Sequence, residues 1–96
     1  MKDIVIVGAG GFGREVAWLV EEINTASPEW RLLGFLDDGA KGSTVEGYPI
    51  LGSIDRVGEL GQHVYLTCAI GDPRLRKRLV DKLEEAGRRF ATLIHP

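Results

Sequence analysis

The chain has 96 residues, 44% of them hydrophobic and 27% charged, with a formal net charge of −2. That length suits one small domain, 1–96, burying about 60–65% of its unfolded surface. The balanced charge excludes a general field for nucleic acid or for an anionic membrane. In chain order, Ile4-Val5-Ile6-Val7 is a continuous β-branched run, as expected of a strand buried on both faces in a helix-covered parallel sheet. It is too short for a signal peptide or a membrane span, so the expected address is the cytoplasm. Gly8-Ala9-Gly10-Gly11 predicts a tight turn. From Phe12 the period becomes helical, with Phe12, Val16, Leu19, Val20 and Ile23 on one stripe and Glu15, Glu21 and Glu22 toward water. Asn24, Ser27 and Pro28 are stop signals.

Trp30 to Leu36 predicts the second strand, ended by Asp37-Asp38-Gly39. Residues 40–47 are the most loop-like stretch, followed by a short extended segment from Tyr48 to Gly52. A brief helix is expected over Ile54 to Leu60, with Ser53 as its N-cap. Val64 to Ile70 predicts the third strand, and Cys68 within it is expected to be a buried strand residue. One cysteine excludes an intramolecular disulfide, and with only two separated histidines, His63 and His95, it argues against structural zinc. Asp72-Pro73 starts a helix with Asp as N-cap and Pro at the first helical position. Leu75, Leu79 and Leu83 form its stripe, Gly87 is a suitable C′ residue, and Phe90 to Ile94 closes as a fourth strand. The alternation implies an α/β, Rossmann-like three-layer domain with a parallel four-stranded sheet. The 13 glycines have no period and punctuate these elements.

In such a sheet the loops after the strands gather at one edge, where ligands bind. Gly8-x-Gly10-x-x-Gly13 has the dinucleotide-binding spacing: one glycine for the turn, one for close approach to a diphosphate, one for helix–strand packing. The following helix N-terminus offers unpaired N–H groups to an anion, with no need for lysine. Asp37 and Asp38 stand where a carboxylate accepts from ribose hydroxyls, or from the N3–H of a uracil, and would repel a 2′-phosphate. The same Asp-Asp-Gly is also good turn chemistry in its own right. Gly71-Asp72 offers a second helix N-terminus, with simple capping by Asp72 the competing reading. Arg74, Arg76, Lys77 and Arg78 are the one candidate basic patch for nucleic acid, but Asp81, Glu84 and Glu85 follow on the same helix, and a solvated helix face is the better reading. No nucleophile–base pair or Tyr-x-x-x-Lys constellation is present, so the chain is expected to bind rather than to catalyse.

Five segments in order, IVIVGAGGFGREV, GFLDD, GYPILGS, AIGDPRLRKRL and ATLIHP, resemble the N-terminal domain of bacterial nucleotide-sugar acetyltransferases. These are the sialic-acid O-acetyltransferase type and the UDP-4-amino-sugar N-acetyltransferases, left-handed β-helix acyltransferases. The likeness covers essentially the whole chain. It departs at Pro73, where members often carry asparagine, and at Gly10, often serine. The resemblance implies that Gly8, Gly10, Gly11, Phe12 and Gly13 line the phosphates and sugar of a UDP-sugar. Asp37 and Asp38 would meet uracil or ribose, with Ile70 and Gly71 beside the base. It further implies a C-terminal hexapeptide-repeat β-helix, absent from this chain, that carries the catalytic histidine and binds acetyl-CoA in a homotrimer. No cofactor is expected in this chain itself, and no nucleic-acid or membrane partner. Two other readings remain open from the residues: a stand-alone NAD-binding or nucleotide-sensing module, and a structural domain with a vestigial site.

Overall fold

The computed structural model describes residues 1–39 and 42–95; Ala40 and Lys41 of the expected loop, and Pro96, lie outside the described residues. The chain runs β1 (Lys2–Val7), α1 (Gly11–Ala26), β2 (Trp30–Leu36), β3 (Thr44–Val45), β4 (Tyr48–Gly52), a 3₁₀ helix (Ile54–Glu59), β5 (Tyr65–Cys68), α2 (Pro73–Glu85) and β6 (Arg89–Phe90). The β-branched run becomes the middle of the sheet. β1 pairs in parallel with β2 on one side and β5 on the other, and Ile4, Val5, Ile6 and Val7 are fully buried. Each such side chain contributes roughly 1.5–3 kcal/mol by leaving water.

Period-two alternation splits β1 between two cores. Ile4 and Ile6 face α1, packing with Val16, Ala17, Val20 and Ile23. Val5 and Val7 face the other way, packing with Leu83 of α2 and with Ile54 and Val57 of the 3₁₀ helix. The result is the expected three-layer Rossmann-like arrangement. On α1, however, Phe12 drops out of the predicted stripe and is 42% exposed. Ala17 joins the core instead, and Leu19 is half-buried. On α2 only Leu83 is buried, while Leu79 is half-buried and Leu75 exposed. The first turn of α2 stands beyond the end of β5, where little strand is left to cover.

Among the described residues the sheet has six strands rather than the expected four, in the order β3-β4-β2-β1-β5-β6. The short extended segment is a full member: β4 pairs in parallel with β2 and covers the edge that β2 would otherwise expose. β3 forms an antiparallel hairpin with β4 inside the stretch expected to be loop. Glu46 (φ 53°) and Gly47 (φ 81°) turn it, and the positive φ of both central residues matches strand twist. Glu-Gly is not the usual signature of that turn, which is why the sequence does not announce it. At the other edge the fourth predicted strand shrinks to Arg89–Phe90. Beyond it Leu93 leaves the sheet edge to pack against the Ile4, Val20, Ile23 and Trp30 cluster, and His95 contacts Glu22 of α1.

The N-terminal edge of the sheet is tied by charge. Asp3 is buried and accepts from Arg31 Nε at 2.6 Å, with His63 Nε2 at 2.9 Å. The Arg31 hydrogen bond holds the Asp3 carboxyl below its ordinary range, against the opposing effect of burial.

Candidate functional site

β1 connects through α1 to β2 on one side, and β5 connects through α2 to β6 on the other. The direction of winding therefore reverses between β1 and β5, and their C-terminal ends open a crevice there. The glycine-rich turn sits in it. Gly8 donates its N–H to the Leu36 carbonyl at 2.8 Å. Its φ of +106°, and a Cβ position only 2.8 Å from the Ala69 carbonyl oxygen, admit glycine alone. Gly13 packs the start of α1 on this turn so closely that a Cβ would lie 2.2 Å from the Gly8 carbonyl oxygen.

Between these two contacts the turn is open. Gly10 is the N-cap of α1 without a side-chain hydrogen bond, and the first turn holds no acidic residue. The N–H groups of Gly11, Phe12 and Gly13 meet no side-chain acceptor among the described residues. A Cβ on Gly10 or Gly11 would meet nothing within 4 Å, and Phe12 projects beside them. Unpaired donors, the positive end of a 16-residue helix and free space in front are the features with which a helix end can hold an anion.

The two acids expected together point apart. Asp37 turns into the glycine turn, its Oδ2 accepting from the Ala9 N–H at 2.7 Å and its Oδ1 from the Gly39 N–H at 2.8 Å. It thus serves the turn, and its carboxylate keeps further lone pairs for a ligand at the crevice. Asp38 turns toward the α2 side and accepts from the Ile54 N–H at 2.8 Å, capping the 3₁₀ helix. Ser53 holds the N-cap position as expected, but its hydroxyl bonds Asp55, so the capping oxygen comes from Asp38. Asp38 ends a groove of about 270 Å³ walled by Ile54, Val57, Leu79 and Leu83.

Ile70 and Gly71 close the crevice from the β5 side. Ile70 Cδ1 would lie 3.1 Å from a Cβ on Gly8. The second helix N-terminus is already satisfied: Asp72 accepts from the N–H groups of Arg74 and Leu75 at 2.9 and 3.3 Å, and Pro73 has no N–H to offer. Cys68, at the end of β5, is half-buried. Burial pushes its thiol up, with Arg76 pulling the other way. Arg76, expected on a solvated helix face, is instead half-buried: its Nη1 donates to the Ile70 carbonyl at 3.0 Å. Helical side chains slant toward their own N-terminus, so an arginine in the first turn after a strand was a legible candidate. Among the described residues no cluster of three or more His, Cys, Asp or Glu could hold a metal, and no helix is long and apolar enough to cross a membrane.

A doubly wound sheet with an open glycine turn at its switch point defines the class, a Rossmann-like α/β domain, in which ligands generally lie at the C-terminal edge. More particularly, the chain belongs to the PglD N-terminal domain family, which it matches over residues 3–83. It is 36% identical, over 101 aligned residues, to the UDP-N-acetylbacillosamine N-acetyltransferase of Bacillus subtilis, covering all of this chain and 44% of that protein. Among solved structures it resembles the acetyltransferase domain of PglB from Neisseria gonorrhoeae in complex with acetyl coenzyme A. That match has a TM-score of 0.84 and 30% identity, and covers 99% of this chain and 44% of that one. A second structure of the same PglB domain also matches with a TM-score of 0.84, at 31% identity, over 100% of this chain and 45% of that one. The chain thus spans a little under half the length of the relatives it matches.

Proposed function

We propose that this chain is the UDP-sugar-binding domain of an acetyl-CoA-dependent sugar acetyltransferase. The observation that carries the reading is the uncapped N-terminus of α1: donors of Gly11, Phe12 and Gly13 facing open space at the switch point. There the diphosphate of the ligand rests on Gly8, Gly10, Gly11, Phe12 and Gly13. The uridine lies toward Asp37, Ile70 and Gly71, and Asp38 serves the 3₁₀ helix and the groove behind. Family membership and the relatives' printed activities support UDP as the nucleotide and acetyl transfer as the reaction of the whole protein.

In that reaction a sugar amine or hydroxyl attacks the thioester carbonyl of acetyl-CoA, the acetyl group moves to it, and the thiol of coenzyme A leaves. This chain holds the nucleotide end still, so that the reacting sugar atom is presented at a fixed distance. Acetyl-CoA and the proton-transferring group belong to the part of the protein beyond these 96 residues, in a trimer of β-helices. Soluble cytoplasmic placement fits a substrate of this kind.

Calorimetric titration with UDP, a UDP-amino-sugar and NADH tests the reading, with the best ligand repeated on Asp37→Ala. UDP compounds should bind, and the variant should bind them several-fold more weakly, because the Ala9 N–H loses its charged acceptor. Tight NADH binding with UDP silent would replace this reading with an NAD module. Silence from all three would leave a structural domain.

A further inference from the structure

The four basic residues of α2 are not one face. Lys77 pairs with Asp81 at 2.8 Å, one turn along the helix. Arg74 and Arg78 are exposed beside that pair, around a shallow surface hollow. Arg76 alone is half-buried, folded back over the end of β5 so that Nη1 donates to the Ile70 carbonyl at 3.0 Å. Its guanidinium makes no other hydrogen bond and no ion pair among the described residues. It is a cation anchored by a neutral carbonyl, with donors to spare.

Its position gives it a use. Ile70 adjoins the glycine turn, its Cδ1 falling 3.1 Å from a Cβ on Gly8, so Arg76 flanks the crevice from the α2 side while the start of α1 flanks it from the other. The same edge carries the carboxylates of Asp37 and Asp72, each of them engaged with backbone N–H groups. A diphosphate entering there meets two like charges, and a helix N-terminus offers only about half a positive charge against them. A half-buried guanidinium, less screened than a surface one, supplies the remainder.

We infer that Arg76 is a phosphate-binding residue of the crevice: the Ile70 carbonyl fixes its guanidinium, which presents a full positive charge to the diphosphate of the bound nucleotide. The inference rests on the nucleotide reading above. Charge at this site then comes from a side chain outside the glycine motif, on the helix across the crevice.

The test is calorimetric titration of this chain with UDP at low and high salt, for the wild type and for Arg76→Gln, Arg76→Lys and Arg78→Gln, with a melting curve for each. Arg76→Gln should bind UDP about tenfold more weakly at low salt, the size expected for one charge-assisted hydrogen bond. The gap should narrow at high salt, because the missing term is a screened charge. Arg76→Lys keeps the charge and should stay within about threefold of wild type; if the glutamine variant fails to fold, Arg76→Ala takes its place with the same expected loss. Arg78→Gln, one exposed step further along the helix, should bind as wild type. Wild-type affinity in Arg76→Gln would overturn the inference while leaving the nucleotide reading intact. So would a loss independent of salt and shared by Arg76→Lys, which marks a structural clip, or an equal loss in Arg78→Gln, which marks a diffuse field. A wild type that does not bind UDP at all would remove the nucleotide reading, and this inference with it.

Discussion

The molecule contains the same construction twice, and only one copy is left open. β1 and β5 are neighbouring parallel strands, each ending in a glycine-containing turn that starts an amphipathic helix. At β5–α2 the first N–H groups are satisfied at home: Asp72 accepts two of them and Pro73 removes another. At β1–α1 the cap is Gly10, with no side-chain oxygen, no acid in the first turn and space in front of the donors. The difference lies in an omission: a helix N-terminus keeps donors for a ligand only where no cap takes them. A capped end and an open end share one dipole, but only the open end has donors to give.

The comparison can be broken first at its glycines. Gly13→Ala should cost about 2–3 kcal/mol of stability, because a Cβ 2.2 Å from the Gly8 carbonyl oxygen forces strand and helix apart, outweighing the gain in helix propensity. Gly71→Ala, in the corresponding second turn, meets nothing within 4 Å and should shift stability by less than about 0.5 kcal/mol. Chemical denaturation of the pair reads both; equal costs would mean that the two turns are packed alike.

A second substitution turns the open end into a closed one. Gly10→Asp places a carboxylate at the N-cap, where its Cβ has room. Stability should hold or rise by a few tenths of a kcal/mol. UDP affinity should fall at least about tenfold, near 1.4 kcal/mol, as the new acid takes the donors and repels phosphate. Unchanged UDP binding in a folded Gly10→Asp would place the phosphates elsewhere.

The converse change has the smallest effect. Asp72→Ala opens the end of α2 and should cost about 1 kcal/mol in melting experiments, the usual worth of a cap. UDP affinity should not fall, since the proposed receptor is the open end of α1. A clear loss of affinity would make α2 a second ligand-binding end and erase the contrast.

Much of this is legible in the sequence. The run Ile4 to Val7, the glycine spacing and Asp72-Pro73 predict β1, the open turn and the capped helix, because each is set by neighbours in the chain. Leu75 and Phe12 were misjudged for one reason. Helical period says which residues share a stripe, but not whether the sheet extends far enough to cover it, and both lie in first turns beyond the strand ends. The β3–β4 hairpin was missed because Glu46-Gly47 adopts a turn that its residue types do not advertise. Asp37 and Asp38 looked equivalent, yet a strand end rotates successive side chains to opposite faces, sending one to Ala9 and the other to Ile54.

By itself, then, the sequence determined the central strands, both helices, the α/β class, the family and the glycine turn. All of these depend on residue type and short spacing, which act within a few residues of chain. Tertiary structure alone decided which helix end stays unsatisfied, which acid faces the crevice, and that Arg76 leaves its basic neighbours for the Ile70 carbonyl. Those outcomes depend on which groups from distant strands arrive within hydrogen-bond distance, and a one-dimensional pattern does not carry distances.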